Sequence, residues 1–231
     1  MSTTPARTFG AIFDIDGTLV DSYEAHFKSW HDVLAGNGIE YGQELFKRDF
    51  GRRNPEIITE LWNEVGRDAP SATLIDEISD EKEADFRRIL AADFPEMPGA
   101  STLLERLHEA GWGLAVGSSA PGPNVMLSIE GLGATDLFDV IVCGTDVARG
   151  KPEPDVFLRG AELLGLEPEA CIVIEDAAPG VEAAHRAGMI AVAIASQGRT
   201  REELAEAELV IDSLEELDPQ RLSALMKEYA T

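Results

Sequence analysis

"FDIDGTLVDS", residues 13–22, overlaps the end of an apolar run, FGAIF at residues 9–13, that is typical of a buried strand. Asp14 and Asp16 therefore come where that strand ends. Side chains two residues apart along a strand point to the same face, so two carboxylates there repel each other and are costly to bury. Either a cation holds them or they lie in a solvated turn, and the remaining sequence decides between these alternatives.

Five further apolar runs alternate with amphipathic helical patterns from about residue 99 onward. Continuously apolar runs are typical of parallel strands that are buried on both faces, so the predicted fold class is α/β, with a Rossmann-like parallel-sheet core. The predicted strands lie at residues 9–13, 113–117, 140–143, 171–174, 190–194 and 209–211. Predicted helices lie at residues 100–110, 124–132, 154–164, 180–187 and 202–208.

Residues 21–95 separate the first strand from the second and contain helical patterns only. These patterns lie at residues 22–35, 43–50, 55–65 and 72–91, and Pro95, Pro98 and Gly99 end the segment. We expect one domain of residues 1–20 and 96–231 and an inserted small helical domain of residues 21–95. The insertion should lie over the carboxyl end of the first strand, and its densest basic spot is the pair Arg52 and Arg53.

The composition excludes several classes of partner. With 19 basic and 43 acidic residues the formal net charge is −24, which disfavours nucleic acid and anionic membranes. No run resembles a membrane helix and the first residues lack the apolar core of a signal peptide, so a cytoplasmic protein is expected, and no protein partner is inferred. Cys143 and Cys171 lie in apolar runs and are expected to be buried thiols rather than a disulfide.

Polar residues stand at the carboxyl ends of the first four predicted strands, where the ligand crevice of an open α/β sheet lies. They are Asp14, Asp16, Gly17 and Thr18 after the first strand, Ser118 and Ser119 after the second, Lys151 in the turn after the third, and Glu175 and Asp176 after the fourth. Four carboxylates, a hydroxyl and a lysine are thus expected in one crevice.

That set of groups suits phosphate chemistry. Four carboxylates need a hard cation, and Mg²⁺ is the default for oxygen ligands. Such a cation and Lys151 would hold a phosphate dianion, with Ser118 and backbone N–H groups at a helix start binding its oxygens. One aspartate would attack phosphorus to form an aspartyl phosphate, and the second would exchange the proton with the leaving oxygen and with water. Gly17 would allow the tight turn that directs the side chains of Asp14 and Asp16 toward the phosphate.

The segments DIDGTLVDS, GSS, GKPEPD and IEDAAPGVEAA resemble, in order, the four signature motifs of the haloacid dehalogenase superfamily. The resemblance implies that Asp14 is the nucleophile and Asp16 the general acid/base, and that Ser118 and Lys151 bind phosphate. It also implies a Mg²⁺ site and identifies the helical insertion as a small cap domain. The implied metal ligands are Asp14, the backbone carbonyl of Asp16, Asp176 directly and Glu175 through water.

Within that superfamily the chain is most similar to the β-phosphoglucomutase-like branch of phosphatases and mutases. DSYEAHFKSW, with His26, and the loop FGRRNPEII resemble segments of that branch, and Lys82 falls near one of its cap lysines. The arginine that the mutase pattern has three residues after the loop glycine is replaced here by Asn54, and a polar run after the second motif is replaced by residues 120–122, APG. Both changes favour a phosphatase.

The expected function is therefore a Mg²⁺-dependent phosphatase acting on a small phosphorylated metabolite, in particular a sugar phosphate. A phosphosugar mutase and a non-catalytic phosphometabolite-binding protein are the alternatives, whereas the family's dehalogenases lack an aspartate at the place of Asp16. Simpler structural roles remain open for single residues: a helix cap for Ser118, a surface lysine for Lys151, and a packed helix histidine for His26. For Arg52, Arg53 and Lys82 the simpler role is a solvated face.

Overall fold

The computed structural model describes residues 7–229 and contains a six-stranded, all-parallel sheet in the order β3-β2-β1-β4-β5-β6. The strands are β1 Gly10–Phe13, β2 Gly113–Gly117, β3 Val140–Val142, β4 Cys171–Glu175, β5 Ile190–Ile194 and β6 Leu209–Ile211. All six apolar runs of the sequence form strands, as predicted. The α/β fold class is thereby confirmed.

Burial follows the position of each strand in the sheet. The strands β1, β2 and β4 are buried along their whole length, and β5 is buried except at Ile190. The edge strands β3 and β6 are half-buried at their first two residues, so the expectation of burial on both faces is wrong for them. An edge strand has a neighbour on one side only, and its position in the sheet depends on the tertiary fold rather than on its own apolar sequence.

The described part of the chain contains nine α-helices. They are α1 Tyr23–Gly36, α2 Gln43–Asp49, α3 Asn54–Glu64, α4 Ala72–Ala92, α5 Ala100–Glu109, α6 Gly122–Gly131, α7 Asp155–Leu164, α8 Ala178–Arg186 and α9 Pro219–Tyr229. None of the helices in residues 7–229 is long and apolar enough to cross a membrane.

Two features of the helix pattern differ from the sequence-based expectation. The helix predicted at residues 202–208 is absent, and residues 201–206 form a series of turns instead. Both ends of the segment are tied to the sheet instead: Arg201 donates to the carbonyl of Val210, and the N–H of Glu208 donates to the carbonyl of Ala191. The amphipathic helix α9, which begins with Pro219 and buries Leu222 and Met226, was not predicted.

The chain divides into two compact units. One contains the described residues up to Asp21 and those from Pro95 onward, and the other is Ser22–Phe94. The second unit contains α1–α4, with α1 packed against α4. Its core is aromatic: the ring centroids of Tyr23 and Phe46 lie 4.8 Å apart, and Trp30 and Tyr41 are buried beside them. It therefore has an apolar core of its own.

The register of the sheet brings the ends of three strands to one level. Phe13 pairs with Val116 of β2 on one side and with Ile174 of β4 on the other. Asp14 extends the ladder by one bond, because its N–H donates to the carbonyl of Ile174 at 3.0 Å. The residues that follow β1, β2 and β4 consequently emerge side by side at the carboxyl edge of the sheet.

Candidate active site

Lys151 connects two of the carboxylates at this edge. Its Nζ donates to Oδ1 of Asp14 at 2.6 Å and to Oε1 of Glu175 at 2.7 Å. The lysine side chain is only 8% exposed, and Nζ lies 4.9 Å from the centroid of the Phe157 ring. The alternative of a solvated surface lysine is therefore wrong for Lys151.

Three carboxylates form a cluster that could hold a metal ion. Oxygens of Asp14, Glu175 and Asp176 lie within 4.8 Å of one another, and all three residues are buried. Buried carboxylate oxygens in one group are the donor set that hard divalent cations prefer, so the residues present fit Mg²⁺. Asp16 lies outside this group of carboxylates; the ligand atom expected from Asp16 was its backbone carbonyl.

The absence of a side chain at two glycines lets the Asp176 and Glu175 carboxylates lie close to the backbone. Gly17 has φ +78°, and a Cβ there would lie 2.3 Å from Oδ2 of Asp176. A Cβ at Gly180 would lie 1.9 Å from Oε1 of Glu175. Glu175 is also fixed by its Oε2, which accepts the N–H groups of Asp176 and Ala177 just before α8.

The pKa shifts reflect crowded negative charge around one ammonium group. Burial raises the pKa of Asp14 to about 7, against the opposing effect of Lys151. Burial and the nearby Glu175 raise the pKa of Asp176 well above its usual value. Burial acts in the same direction on Glu175, but Lys151 and backbone donors outweigh it and lower its pKa. The pKa of Lys151 is raised, because Asp14 and Glu175 outweigh the effect of burial.

Asp16 lies in the tight turn that follows β1. The turn is closed by a hydrogen bond from the Gly17 N–H to the carbonyl of Val20 at 2.8 Å, and the positive φ of Gly17 is the conformation for which the sequence predicted a glycine. Asp16 is half-buried, and its negative charge contributes to the raised pKa of Asp14. The two aspartates are thus electrostatically coupled, as the repulsion argument from the sequence requires.

Ser118 directly follows β2 and is 1% exposed. Its N–H donates to the carbonyl of Val142, and its Oγ accepts the N–H of Ala120 at 3.1 Å. The hydroxyl therefore organises the turn that leads into α6, but it does not cap the helix, whose N-cap residue is Pro121. Ser118 lies beside the end of β1, because β2 pairs with β1, and its binding of phosphate stays a prediction.

The loop after β5 was missed by the sequence analysis. Ser196 Oγ donates to Oδ2 of Asp176 at 3.3 Å, and Nε of Arg199 lies 3.5 Å from the same oxygen. In the sequence, polar residues that follow a predicted parallel strand indicate the ligand crevice; we call this the strand-end rule. Applied to the fifth strand, it predicts these two residues as well.

The helical unit holds a separate buried polar group around Lys82. Lys82 is 2% exposed, so the solvated-face alternative is wrong for it. Its Nζ lies 3.0 Å from Nδ1 of His26 and donates to Oε1 of Glu83 at 2.9 Å. His26 stacks on Phe86 with a centroid distance of 4.1 Å, and Asn54 donates to the same oxygen of Glu83.

The two arginines of the α2–α3 turn differ in their surroundings. Arg52 donates to Asp49 at 2.9 Å and forms an ion pair with Glu60 at 2.6 Å. Asp49 is fully buried and also accepts from Arg48 and Tyr41. Arg53 is exposed and begins α3 as its N-cap residue. The structure thus places Arg52 in an ion-pair network of the helical unit and Arg53 in solvent.

Comparisons with known proteins agree with this architecture. The sequence matches the family described as haloacid dehalogenase-like hydrolase over residues 11–194. It is 34% identical to hexitol phosphatase A of Escherichia coli (strain K12), with 91% of this chain and 94% of that protein covered. It is 29% identical to Beta-phosphoglucomutase of Bacillus subtilis (strain 168), with 94% of this chain and 95% of that protein covered.

A solved structure shares the fold over nearly its whole length. The crystal structure of a mutant of CbbY from Rhodobacter sphaeroides in complex with xylulose-(1,5)bisphosphate matches with a TM-score of 0.81 and 28% sequence identity. The match covers 90% of this chain and 96% of that one.

Proposed function

Because this chain belongs to the haloacid dehalogenase-like hydrolase family, we propose that it is a Mg²⁺-dependent phosphatase that hydrolyses a small phosphorylated carbohydrate. The observation that carries the proposal is the buried Lys151, which bridges the Asp14 and Glu175 carboxylates at the carboxyl edge of the sheet. A buried cation beside a buried carboxylate cluster is suited to bind an anionic phosphoryl group next to a carboxylate nucleophile.

In the proposed reaction Asp14 is the nucleophile. Its carboxylate oxygen attacks phosphorus, the bond from phosphorus to the substrate oxygen breaks, and Asp16 gives its proton to that leaving oxygen. Asp16 then takes a proton from water, the hydroxide attacks the aspartyl phosphate, and free phosphate and the Asp14 carboxylate are released. Asp14 is given the role of nucleophile because its Oδ1 accepts from Lys151, the cation that would hold the phosphoryl group beside it.

The phosphate and metal sites are proposed on the same residues. Lys151 and Ser118 bind the phosphoryl oxygens. The residues that would hold Mg²⁺ directly are Asp14, Asp16 through its carbonyl, and Asp176. Glu175 would contribute through water, because both of its carboxylate oxygens already accept hydrogen bonds from protein donors. When bound, the cation would neutralise negative charge on the transferred group.

The substrate class is proposed from the relatives and the helical unit. One relative is a hexitol phosphatase, and the CbbY structure contains a pentulose bisphosphate, which together favour a phosphorylated carbohydrate. We propose that residues 21–95 form a cap domain that selects the leaving group, with His26 and Lys82 as its polar residues and with Arg53 as an exposed cation. Arg52, which is bound to Asp49 and Glu60, contributes by holding the same turn. The cytoplasmic location stays a prediction.

A phosphosugar mutase is the second candidate, and the identity with Beta-phosphoglucomutase over nearly the whole chain favours it. In a mutase the aspartyl phosphate is returned to a sugar hydroxyl rather than to water. Asn54, in place of the mutase arginine, donates to Glu83 within the helical unit, which supports the phosphatase instead.

The test is phosphate release from a panel of phosphorylated sugars and polyols, with Mg²⁺ and with EDTA. Metal-dependent release is expected from one or a few substrates and is expected to be abolished in Asp14→Asn. The matched control is Asp212→Asn, because that carboxylate is a solvent-exposed partner of Arg201 and should leave turnover unchanged. Conversion of β-glucose 1-phosphate to glucose 6-phosphate without free phosphate, in the presence of a bisphosphate activator, would instead establish the mutase.

A further inference from the structure

The loop after β5 contributes a second cationic side chain to the carboxylate cluster. Arg199 lies with Nε 3.5 Å from Oδ2 of Asp176, and its side chain is 19% exposed. Asp176 is the carboxylate to which direct metal binding was assigned above. The guanidinium and a metal ion would therefore share one carboxylate.

The local backbone explains why Ser196 and Arg199 meet the same oxygen. The N–H of Arg199 donates to the carbonyl of Ser196 at 3.0 Å, which closes a four-residue turn. Gly198, the third residue of that turn, has φ +83°, the conformation that such a turn requires of a glycine. The turn directs the first and the fourth side chain to Oδ2 of Asp176.

The turn is also anchored on both sides. The N–H of Ala195 donates to the carbonyl of Ile211 at 2.9 Å, which fixes the start of the loop to β6. On the other side of the turn Arg201 donates to the carbonyl of Val210 in β6 at 2.7 Å, and Thr200 and Glu203 bond to each other within the loop. Arg199 thus lies on a short segment held at both ends, so its approach to Asp176 is a built contact.

The charges of the cluster give this contact a consequence. Asp14, Glu175 and Asp176 carry three formal negative charges, and Lys151 and Arg199 carry two positive ones. Without Arg199, the negative charge of the three carboxylates in the metal-free protein would be less well neutralised. A divalent cation, in contrast, would no longer be repelled by the positive guanidinium. The two effects of the guanidinium, on the metal-free protein and on metal binding, therefore have opposite signs.

We propose that Arg199 and Ser196 are positioning residues that set the metal affinity of Asp176 in opposite directions. Arg199 stabilises the metal-free site and weakens Mg²⁺ binding by charge repulsion. Ser196 strengthens Mg²⁺ binding because its hydroxyl orients the carboxylate without adding charge. This inference rests on the metal site of the proposed function, but not on the identity of the substrate.

The experiment is a calorimetric Mg²⁺ titration of the metal-free full chain, with thermal unfolding of the same samples in EDTA. We expect Arg199→Gln to bind Mg²⁺ roughly tenfold more tightly than the wild type, with a lower Tm in EDTA. Added salt should reduce the difference in Mg²⁺ affinity between Arg199→Gln and the wild type, because the guanidinium of Arg199 is partly exposed and its charge is screened. We expect Ser196→Ala to bind Mg²⁺ on the order of tenfold more weakly.

Two controls keep the interpretation specific. Arg159→Gln removes an exposed charge on α7 that is paired with Glu162, and it should change neither the Mg²⁺ affinity nor the Tm in EDTA beyond a small surface effect. Arg199→Lys retains the charge, so it should keep an affinity near that of the wild type. Arg199→Met removes the charge but keeps the stem, and it replaces Arg199→Gln if the latter does not fold. In that case Mg²⁺ binding by Arg199→Met that is no tighter than that of the wild type would overturn the role of the charge.

Unchanged or weaker Mg²⁺ binding by Arg199→Gln would overturn the role given to Arg199. Undiminished binding by Ser196→Ala would overturn the role given to Ser196. A wild-type protein that binds no Mg²⁺ would overturn the metal site of the proposed function itself, so the two failures are distinguishable.

Discussion

The ammonium nitrogen of Lys151 lies 2.6 Å from Oδ1 of Asp14, although 137 residues of sequence separate the two. The side chains are 8% and 9% exposed, so the contact is an ion pair largely removed from solvent. Such a pair contributes little net stability, but removal of one partner leaves an uncompensated buried charge. The consequences for stability and for metal binding are therefore larger than those of any surface ion pair in the described chain.

Replacement of Lys151 should destabilise the protein strongly. Lys151→Met keeps the length of the side chain but leaves Asp14 and Glu175 without their cation, and we expect the free energy of unfolding in EDTA to fall by about 3–5 kcal/mol. Urea denaturation measures this change. In Lys28→Met, which removes an exposed pair with Asp32 at 2.8 Å on α1, the expected loss is at most about 0.5 kcal/mol. Equal effects of the two substitutions would contradict the importance of the buried pair.

A methyl group at Gly180 should disrupt the site. In Gly180→Ala the new Cβ would lie 1.9 Å from Oε1 of Glu175, so the carboxylate must move away from Lys151. We expect Mg²⁺ affinity and phosphate release to fall by about tenfold or more, as for other residues that orient metal ligands. Gly36→Ala is the matched control, because a Cβ at this helical position meets nothing within 4 Å and should stabilise by about 0.5–1 kcal/mol.

Metal affinity should depend on pH through Asp14. The pKa of Asp14 is about 7 in the folded protein and 3.8 ordinarily, so the metal-free fold favours the protonated carboxyl. The stability that this proton contributes is fully present below about pH 3.8 and is lost as the pH rises through about 7. Mg²⁺ must displace that proton, so its affinity should decrease as the pH falls through about 7. Mg²⁺ titrations on either side of that pH measure the effect. In Asp14→Asn the pH dependence should be smaller but not absent, because burial also raises the pKa of Asp176, which would hold the same ion. A pH-independent affinity in the wild type would contradict the shift.

The two thiols should be unreactive in the folded protein. Burial raises the pKa of Cys171 to about 12, and burial followed by the charge of Asp146 raises the pKa of Cys143. Both cysteines are free and buried, as the sequence predicted. At about pH 8 a thiol reagent should therefore label neither residue in native protein and both in urea. Rapid native labelling of Cys171 would show that β4 opens readily.

The sequence predicted the sheet well because each strand is a short, continuous apolar run. It could not show that Val140–Val142 and Leu209–Ile211 are the edges, since the order of strands depends on long-range pairing. The false helix at residues 202–208 reflects the same limit: the local pattern was helical, but bonds to β5 and β6 held the segment in turns. Glu208, for example, donates its N–H to the carbonyl of Ala191.

The site was predictable as far as strand ends could be recognised. Asp14, Lys151, Glu175 and Asp176 meet where the strand-end rule expects them. The rule gives no information on which polar residues are buried by tertiary packing. A solvated face therefore stayed open for Lys82 beside its resemblance to a cap lysine, although its Nζ lies 5.2 Å from the centroid of the Phe86 ring in the interior of the helical unit.

The position of β1 has a consequence for how the chain assembles during synthesis. β1 is made first, but its two neighbours in the sheet begin at Gly113 and Cys171, so its hydrogen bonds cannot all form until most of the chain has left the ribosome. The helical unit of residues 22–94 is compact in itself and can fold earlier, once α4 has been made and packs against α1. The nascent chain would then carry a folded helical unit at a stage when β1 is unpaired and Asp14 has not yet formed its ion pair with Lys151.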